Sequence, residues 1–289
     1  MTMNATCSRQ VSVMVVVLIA ALMLLGSAQA QTQTQTQSQL SDEAIWQQYL
    51  EWLPSRATTE GGRITGYRSH LTSSGASTTE ANRQIAIIRR LMAERPDGWR
   101  IVFNIVYSSS TPDFSTQPNA LLITTVEGRK PGRALDVGMG QGRNSVFLAL
   151  KGWDVTGFDI SDEGIAVSRK NAERAGVKLN AIRETDEAFN YGSDQWDMIV
   201  FMYEPFPVTS AAYVERLRKS MKSGGLIVIE SFGADAKAPN RQSTSIDPGQ
   251  LLAAFKDFRL LHFEDTTAVP DWGGRTKTRV IRMVAEKRP

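Results

Sequence analysis

From Pro131 onward, short apolar runs alternate with amphipathic stretches. The runs at 133–137, 154–158, 179–183, 197–202, 225–231, 258–264 and 278–286 predict strands, and 143–151, 162–175, 208–222 and 247–256 fit helices. This alternation predicts a parallel sheet covered by helices on both faces. The ending breaks the rhythm. The last two runs are joined by a loop containing Pro270, Gly273 and Gly274, with no helix between them, so a final hairpin with one antiparallel strand is expected. The predicted class is α/β, a doubly wound seven-stranded sheet.

Ahead of this region the pattern differs. Ile45, Trp46, Tyr49, Leu50 and Leu53 recur at helical spacing after Ser41 and stop before Pro54. Residues 55–77 are polar and glycine-rich, and Thr78-Thr79-Glu80 then open a second helix with Ile85, Ile87, Ile88, Leu91 and Met92 inward. Residues 41–96 are thus expected to form a helical extension, too small for an independent domain, that caps a domain over 97–289. Trp99, Tyr107 and Phe114 are assigned to the cap or lid.

The first thirty residues are a different material. Arg9 precedes an almost unbroken apolar run, Val11 to Leu25, and Ser27-Ala28-Gln29-Ala30 supplies small residues for cleavage. This is the layout of a signal peptide over 1–30, and the run is short for a membrane span of ~20 residues. An exported chain, periplasmic or secreted, is expected. The alternative is an uncleaved anchor with a cytosolic domain, touching the membrane only through 11–25. Gln31 to Gln39 alternates glutamine with threonine or serine, so 31–40 reads as a polar linker.

Composition narrows the chemistry. A net charge of +3 without a Lys/Arg block gives no support for a nucleic-acid partner. The single cysteine, Cys7, lies before the apolar run, so cleavage after Ala30 would leave no thiol nucleophile and no cysteine metal site. His70 and His262 are too scattered to anchor a metal, and none is expected.

The most specific feature is Ala134-Leu-Asp-Val-Gly-Met-Gly-Gln-Gly-Arg-Asn144, followed by Val155-Thr-Gly-Phe-Asp159. Gly138, Gly140 and Gly142 let the backbone pass close to a ligand without Cβ hindrance. Asp159, ending the next strand, is placed to accept hydrogen bonds from ribose hydroxyls. A dinucleotide fingerprint needs glycine where Arg143 stands, and no Gly-Lys-Ser/Thr follows for a phosphate loop. The pattern reads as a nucleoside-cofactor site.

The arrangement resembles motif I of the class I S-adenosylmethionine (SAM) methyltransferases, whose sheet is Rossmann-like with an antiparallel C-terminal strand. From about Trp99 to the C-terminus the chain looks like a small-molecule member, near the tellurite-resistance and thiopurine methyltransferases. Supporting segments are Gln117-Pro118-Asn119, Gly132-Arg133-Ala134-Leu135-Asp136, Trp196-Asp197-Met198-Ile199-Val200 and Lys222-Ser223-Gly224-Gly225. The resemblance implies SAM as cofactor and transfer of its methyl group to a small-molecule acceptor. The competing class is an exported SAM- or nucleoside-binding protein that transfers nothing.

It also implies roles for residues. Gly138, Gly140 and Gly142 would approach the methionine moiety, with amides of the following helix start near its carboxylate. Asp136 would face the amino-acid end. Asp159, with Ile160 beside it, would take the ribose. Its alternative is an N-cap, although Ser161 is the better cap. Asp186 is assigned to the adenine amino group, with Glu184 and Glu187 as competitors for that register. The backbone of Phe201 and Met202 would line the methyl-transfer mouth. Arg143 has two open assignments, the cofactor carboxylate or an acid of the cap. Met202-Tyr-Glu-Pro-Phe206 departs from the Asn/Asp-Pro-Pro-Tyr/Phe of base methyltransferases, which argues against DNA methylation. Tyr203 and Glu204 are the candidate catalytic residues, Glu204 as proton acceptor. The competing assignment is a loop bent by Pro205.

Overall fold

The strands form by the period-two rule, with both faces apolar because both are covered. In the computed structural model, which describes residues 39–55, 63–109, 114–234, 245–273 and 276–289, Leu135, Ile199, Phe201, Ile227 and Ile229 point into one core. Ala134, Met198, Val200, Leu226 and Val228 point into a second core on the opposite face. Fully burying each large side chain contributes roughly 1.5–3 kcal/mol. The expected signal segment and nearly all of the linker at 31–40 lie outside the described residues.

The strands are β1 (Arg133–Val137), β2 (Asp154–Asp159), β3 (Asn180–Arg183), β4 (Trp196–Met202), β5 (Met221–Gly233), β6 (Ser245–Ile246), β7 (Arg259–Ala268) and β8 (Thr278–Glu286). Their order is β3-β2-β1-β4-β5-β8-β7, with β6 on β5. β1 lies parallel between β2 and β4, and β8 runs antiparallel between β5 and β7. The expected Rossmann-like sheet with a reversed C-terminal strand is therefore present, and the two-residue β6 makes eight strands among the described residues. The strand order reverses between β1 and β4, where open α/β sheets bind ligands beyond their carboxyl ends.

Helices α1 (Asp42–Trp52), α2 (Arg63–Ser73), α3 (Thr78–Glu94), α4 (Gly98–Ser108) and α5 (Ala120–Val126) precede the sheet, and a single 3-10 turn, Leu53–Ser55, follows α1. α3 is capped by Ser77, whose hydroxyl accepts from the Glu80 N–H at 3.1 Å, and it buries Ile85, Ile88, Leu91 and Met92. Two features differ from the sequence pattern. The polar stretch at 55–77 contains a helix, α2, held by buried Ile64, Tyr67 and Leu71. The helical layer also continues past Pro96, because Val102 and Val106 of α4 share one apolar cluster with α1 to α3. Residues 42–289 form one compact unit. Among the described residues, no helix is long and apolar enough to cross a membrane.

The later helices are α6 (Arg143–Leu150), α7 (Asp162–Arg174), α8 (Ala211–Ser220) and α9 (Pro248–Ala254). Ser161 caps α7, accepting from the Gly164 N–H at 2.9 Å. α8 ends at Ser220 rather than 222 because Met221 passes directly into β5.

Candidate cofactor site

The turn between β1 and α6 carries its three glycines in the left-handed region, Gly138 at φ 64°, Gly140 at 53° and Gly142 at 78°. That conformation costs an L-residue roughly 1–2 kcal/mol. The turn is tied to β2 through the Met139 N–H, which donates to the Phe158 carbonyl at 3.0 Å. At the tip of β2, Asp159 accepts from the Gly140 N–H through Oδ2 and from the Ser161 N–H through Oδ1, both at 2.8 Å. Burial raises its carboxyl to about 6 against these amide bonds. Ile160 follows it, between β2 and the Ser161 cap of α7.

Asp136, at the end of β1, accepts from the Ser145 hydroxyl at 2.6 Å and is also raised to about 6 by burial. This carboxylate therefore anchors β1 to the first turn of α6. Asp186, beyond β3, accepts from the Tyr191 phenol and pairs with Arg216 at 3.5 Å. Phe201 is fully buried and packs on Phe206 with ring centroids 4.6 Å apart.

The residues after the glycines hold a strap. Arg143 is buried and donates to the Gln117 carbonyl at 2.7 Å and to Asp271 Oδ1 at 3.1 Å. Asn144 Oδ1 accepts from the Asn119 N–H at 2.9 Å, and Gln141 Nε2 donates to the Ser115 carbonyl at 3.0 Å. Arg143 thus pairs with an acid of the chain that the sequence did not mark. The acid lies in the β7–β8 loop, not in the 41–96 cap.

α4 brings a residue that sequence reasoning placed only in a lid. Asn104 Oδ1 accepts from the Ser161 hydroxyl at 2.7 Å, and Arg100 reaches Asp162 at 3.1 Å, which seats α4 on the start of α7. Tyr107, on the same helix, then reaches the glycine turn. A Cβ added to Gly140 would lie 2.3 Å from its hydroxyl. Burial, with Asp159 and Glu204 near, raises that phenol well above its ordinary range. The hydroxyl takes part in no hydrogen bond among the described residues.

Beyond β4, the two candidate catalytic residues part company. Tyr203 has a left-handed φ of 63°, and its phenol donates to the buried Glu230, which Arg282 pairs at 2.9 Å. Its ring packs on Phe232 and lies near Trp272, with centroids 4.8 and 6.0 Å away. Glu204 turns to the glycine turn instead. A Cβ added to Gly138 would lie 2.3 Å from its Oε2. His70 packs against Trp52 and Tyr67, and His262 lies on β7 beside Glu264, so neither joins the site. Among the described residues, no group of three or more His, Cys, Asp or Glu side chains could hold a metal ion.

An open sheet with reversed β8, a three-glycine turn at its switch point and an acid closing β2 define a class, and comparison with known proteins agrees. Residues 134–225 match the family model described as a methyltransferase domain, so this part of the chain is similar to the class I SAM-dependent methyltransferases. Within that class it is similar to the Haemophilus influenzae protein named "Probable S-adenosyl-L-methionine-dependent methyltransferase TehB", at 28% identity over 171 residues, 55% of this chain and 58% of the relative. A ubiquinone biosynthesis O-methyltransferase of Roseobacter denitrificans is 32% identical over 107 residues, 37% of this chain and 43% of the relative. The crystal structure of TehB from Haemophilus influenzae shares the fold, with a TM-score of 0.52 at 23% identity, covering 65% of this chain and 67% of that one. The chain thus spans less than two thirds of the length of the curated relatives it matches.

Proposed function

We propose that this chain transfers a methyl group from SAM to a small-molecule acceptor. The observation that carries the reading is Asp159, held by the Gly140 and Ser161 amides against three left-handed glycines at the sheet's switch point. The fit to the cofactor is good. Two amide bonds leave the Asp159 carboxylate lone pairs for a ribose diol, since a carboxylate offers about four acceptor sites. Gly138 and Gly140 supply backbone without a Cβ, faced by Glu204 and Tyr107, and the Asp186 loop stands next along the sheet edge for the adenine. SAM supplies a methyl group on a sulfonium, with its leaving group already activated.

The chain's own part is alignment and exclusion of water. Asp159 fixes the ribose end, and the turn fixes the amino-acid end. α4 and the strap at 114–119, locked by Gln141, Arg143 and Asn144, wall off the turn. The backbone of Phe201 and Met202 opens the mouth through which an acceptor approaches in line. The names of the relatives, one a ubiquinone biosynthesis enzyme, support a small-molecule acceptor over a nucleic acid. Export through residues 1–30 belongs to the same proposal, with a membrane-anchored cytosolic domain as the alternative. Sequencing the N-terminus of the natively expressed protein decides between them.

The test of the activity is a methyl-release assay with SAM on thiols, amines, hydroxyls and metalloid oxyanions. Turnover with one acceptor class is expected. SAM binding with no turnover on any of them would leave a binding protein instead.

A further inference from the structure

Glu204 is the acid of this site that the chain leaves unanswered. Its carboxyl lies against the open face of Gly138, with Oε2 2.3 Å from where a Cβ would stand. No hydrogen bond or ion pair reaches it among the described residues. The groups that face it from the surrounding elements are Asp136 of β1, Asp159 of β2, Asp186 and Glu187 beyond β3, and Tyr107 of α4. Asp136 and Asp159 are served by Ser145 and by backbone amides, and Asp186 by Tyr191 and Arg216. Glu187 is solvent-exposed. The one cation of the turn, Arg143, is taken by Asp271.

A half-buried carboxylate set among other acids and without a cation is costly, and the cost is removed when a positive group is brought to it. The amino-acid end of SAM has a sulfonium and an ammonium against one carboxylate, a net charge of about +1, whereas the demethylated thioether product is neutral overall. We propose that Glu204 is the counter-charge for the cationic methionine end of the cofactor, and that it makes the site prefer the sulfonium form over the neutral product. The proposal rests on the cofactor reading above. It gives Glu204 a binding role in place of the proton-accepting one, and it gives the reaction a means of releasing product.

A proton linkage follows. Burial first, and the neighbouring acids next, hold the Glu204 carboxyl well above the ordinary carboxylate range, which favours the protonated acid when no cation is near. Bringing a cation lowers that pKa, so binding of SAM expels a proton into the buffer. Binding of the product does not. Affinity for SAM therefore rises with pH until Glu204 is ionised in the free protein.

The experiment is calorimetry on the full chain with SAM and with S-adenosylhomocysteine, each in phosphate and in Tris, whose ionisation enthalpies differ. The wild type is expected to bind SAM about tenfold more tightly than the product, as one screened charge pair implies. Its SAM enthalpy should change with buffer while its product enthalpy does not. Glu204→Gln should weaken SAM about tenfold, leave the product within about twofold and abolish the buffer effect. Its melting temperature without ligand should not fall, because no partner is lost. Glu204→Asp, which keeps the charge, should keep the preference. Equal wild-type affinity for both ligands, or Glu204→Gln weakening both alike, overturns the proposal and leaves the cofactor reading standing. Failure of the wild type to bind either ligand overturns both.

Discussion

The two sides of the glycine turn are built on opposite terms. On the β1–β2 side every acid is answered from within the chain, Asp136 by Ser145 and Asp159 by the amides of Gly140 and Ser161. On the β4–α4 side, the carboxyl of Glu204 and the hydroxyl of Tyr107 lie against Gly138 and Gly140 with no hydrogen-bond partner among the described residues. The first side is a scaffold whose geometry is set before any ligand arrives. The second is a surface whose polar groups find partners only when one does. Substitutions on the first side should therefore be read in stability, Asp159 alone being read in binding as well, and those on the second in binding.

Gly142→Val attacks the scaffold hardest. Its φ of 78° disfavours any branched residue, and its Cβ would stand 2.8 Å from that of Ser168. A loss of about 3–5 kcal/mol in denaturant unfolding is expected from left-handed strain plus overpacking. A loss below about 1 kcal/mol would show that the turn is plastic.

Asp136→Asn tests the same side through pH. The folded carboxyl is raised to about 6 by burial, above its value in the unfolded chain of about 3.9. Between those two values the folded state holds the extra proton, so this group's contribution to stability falls as pH rises through the window and is flat above it. The variant lacks that decline. Its stability relative to wild type should move in its favour by roughly 2–3 kcal/mol from pH 4 to pH 7. A difference independent of pH would contradict the assignment.

Two tyrosines contrast an answered hydroxyl with an unanswered one on the β4–α4 side itself. Tyr203→Phe removes a donor to Glu230 and should cost about 1–2 kcal/mol in thermal or denaturant unfolding. Tyr107→Phe removes a hydroxyl that has no partner and should change stability by no more than about 0.5 kcal/mol. Equal costs would erase the distinction between a hydroxyl with a partner and one without.

The scaffold was largely legible in the sequence, and the open side was not. β1, β2, α6 and α7 follow from apolar runs, the three glycines and Ser161, all local signals, and they fall within a residue or two of the predicted bounds. Asp159 could be found because the strand that ends on it comes directly after the glycine helix. The partner of Arg143 could not, since Asp271 is 128 positions away and nothing local marks it. Tyr107 stood among other aromatics, and only the docking of α4 through Asn104 and Arg100 shows that it reaches Gly140. α2 escaped notice because Ile64, Tyr67 and Leu71 are a thin apolar stripe in a polar, glycine-containing stretch. In β6, two residues are too few to carry a period.

The central claim is that the Asp159 carboxylate and the glycine turn together hold SAM. Calorimetric titration of the wild type and Asp159→Ala with SAM tests it most directly. Single-site binding to the wild type is predicted, weakened at least about 30-fold in the variant, the loss expected for hydrogen bonds to a charged acceptor. Unchanged affinity in Asp159→Ala, or no binding by the wild type, would contradict it.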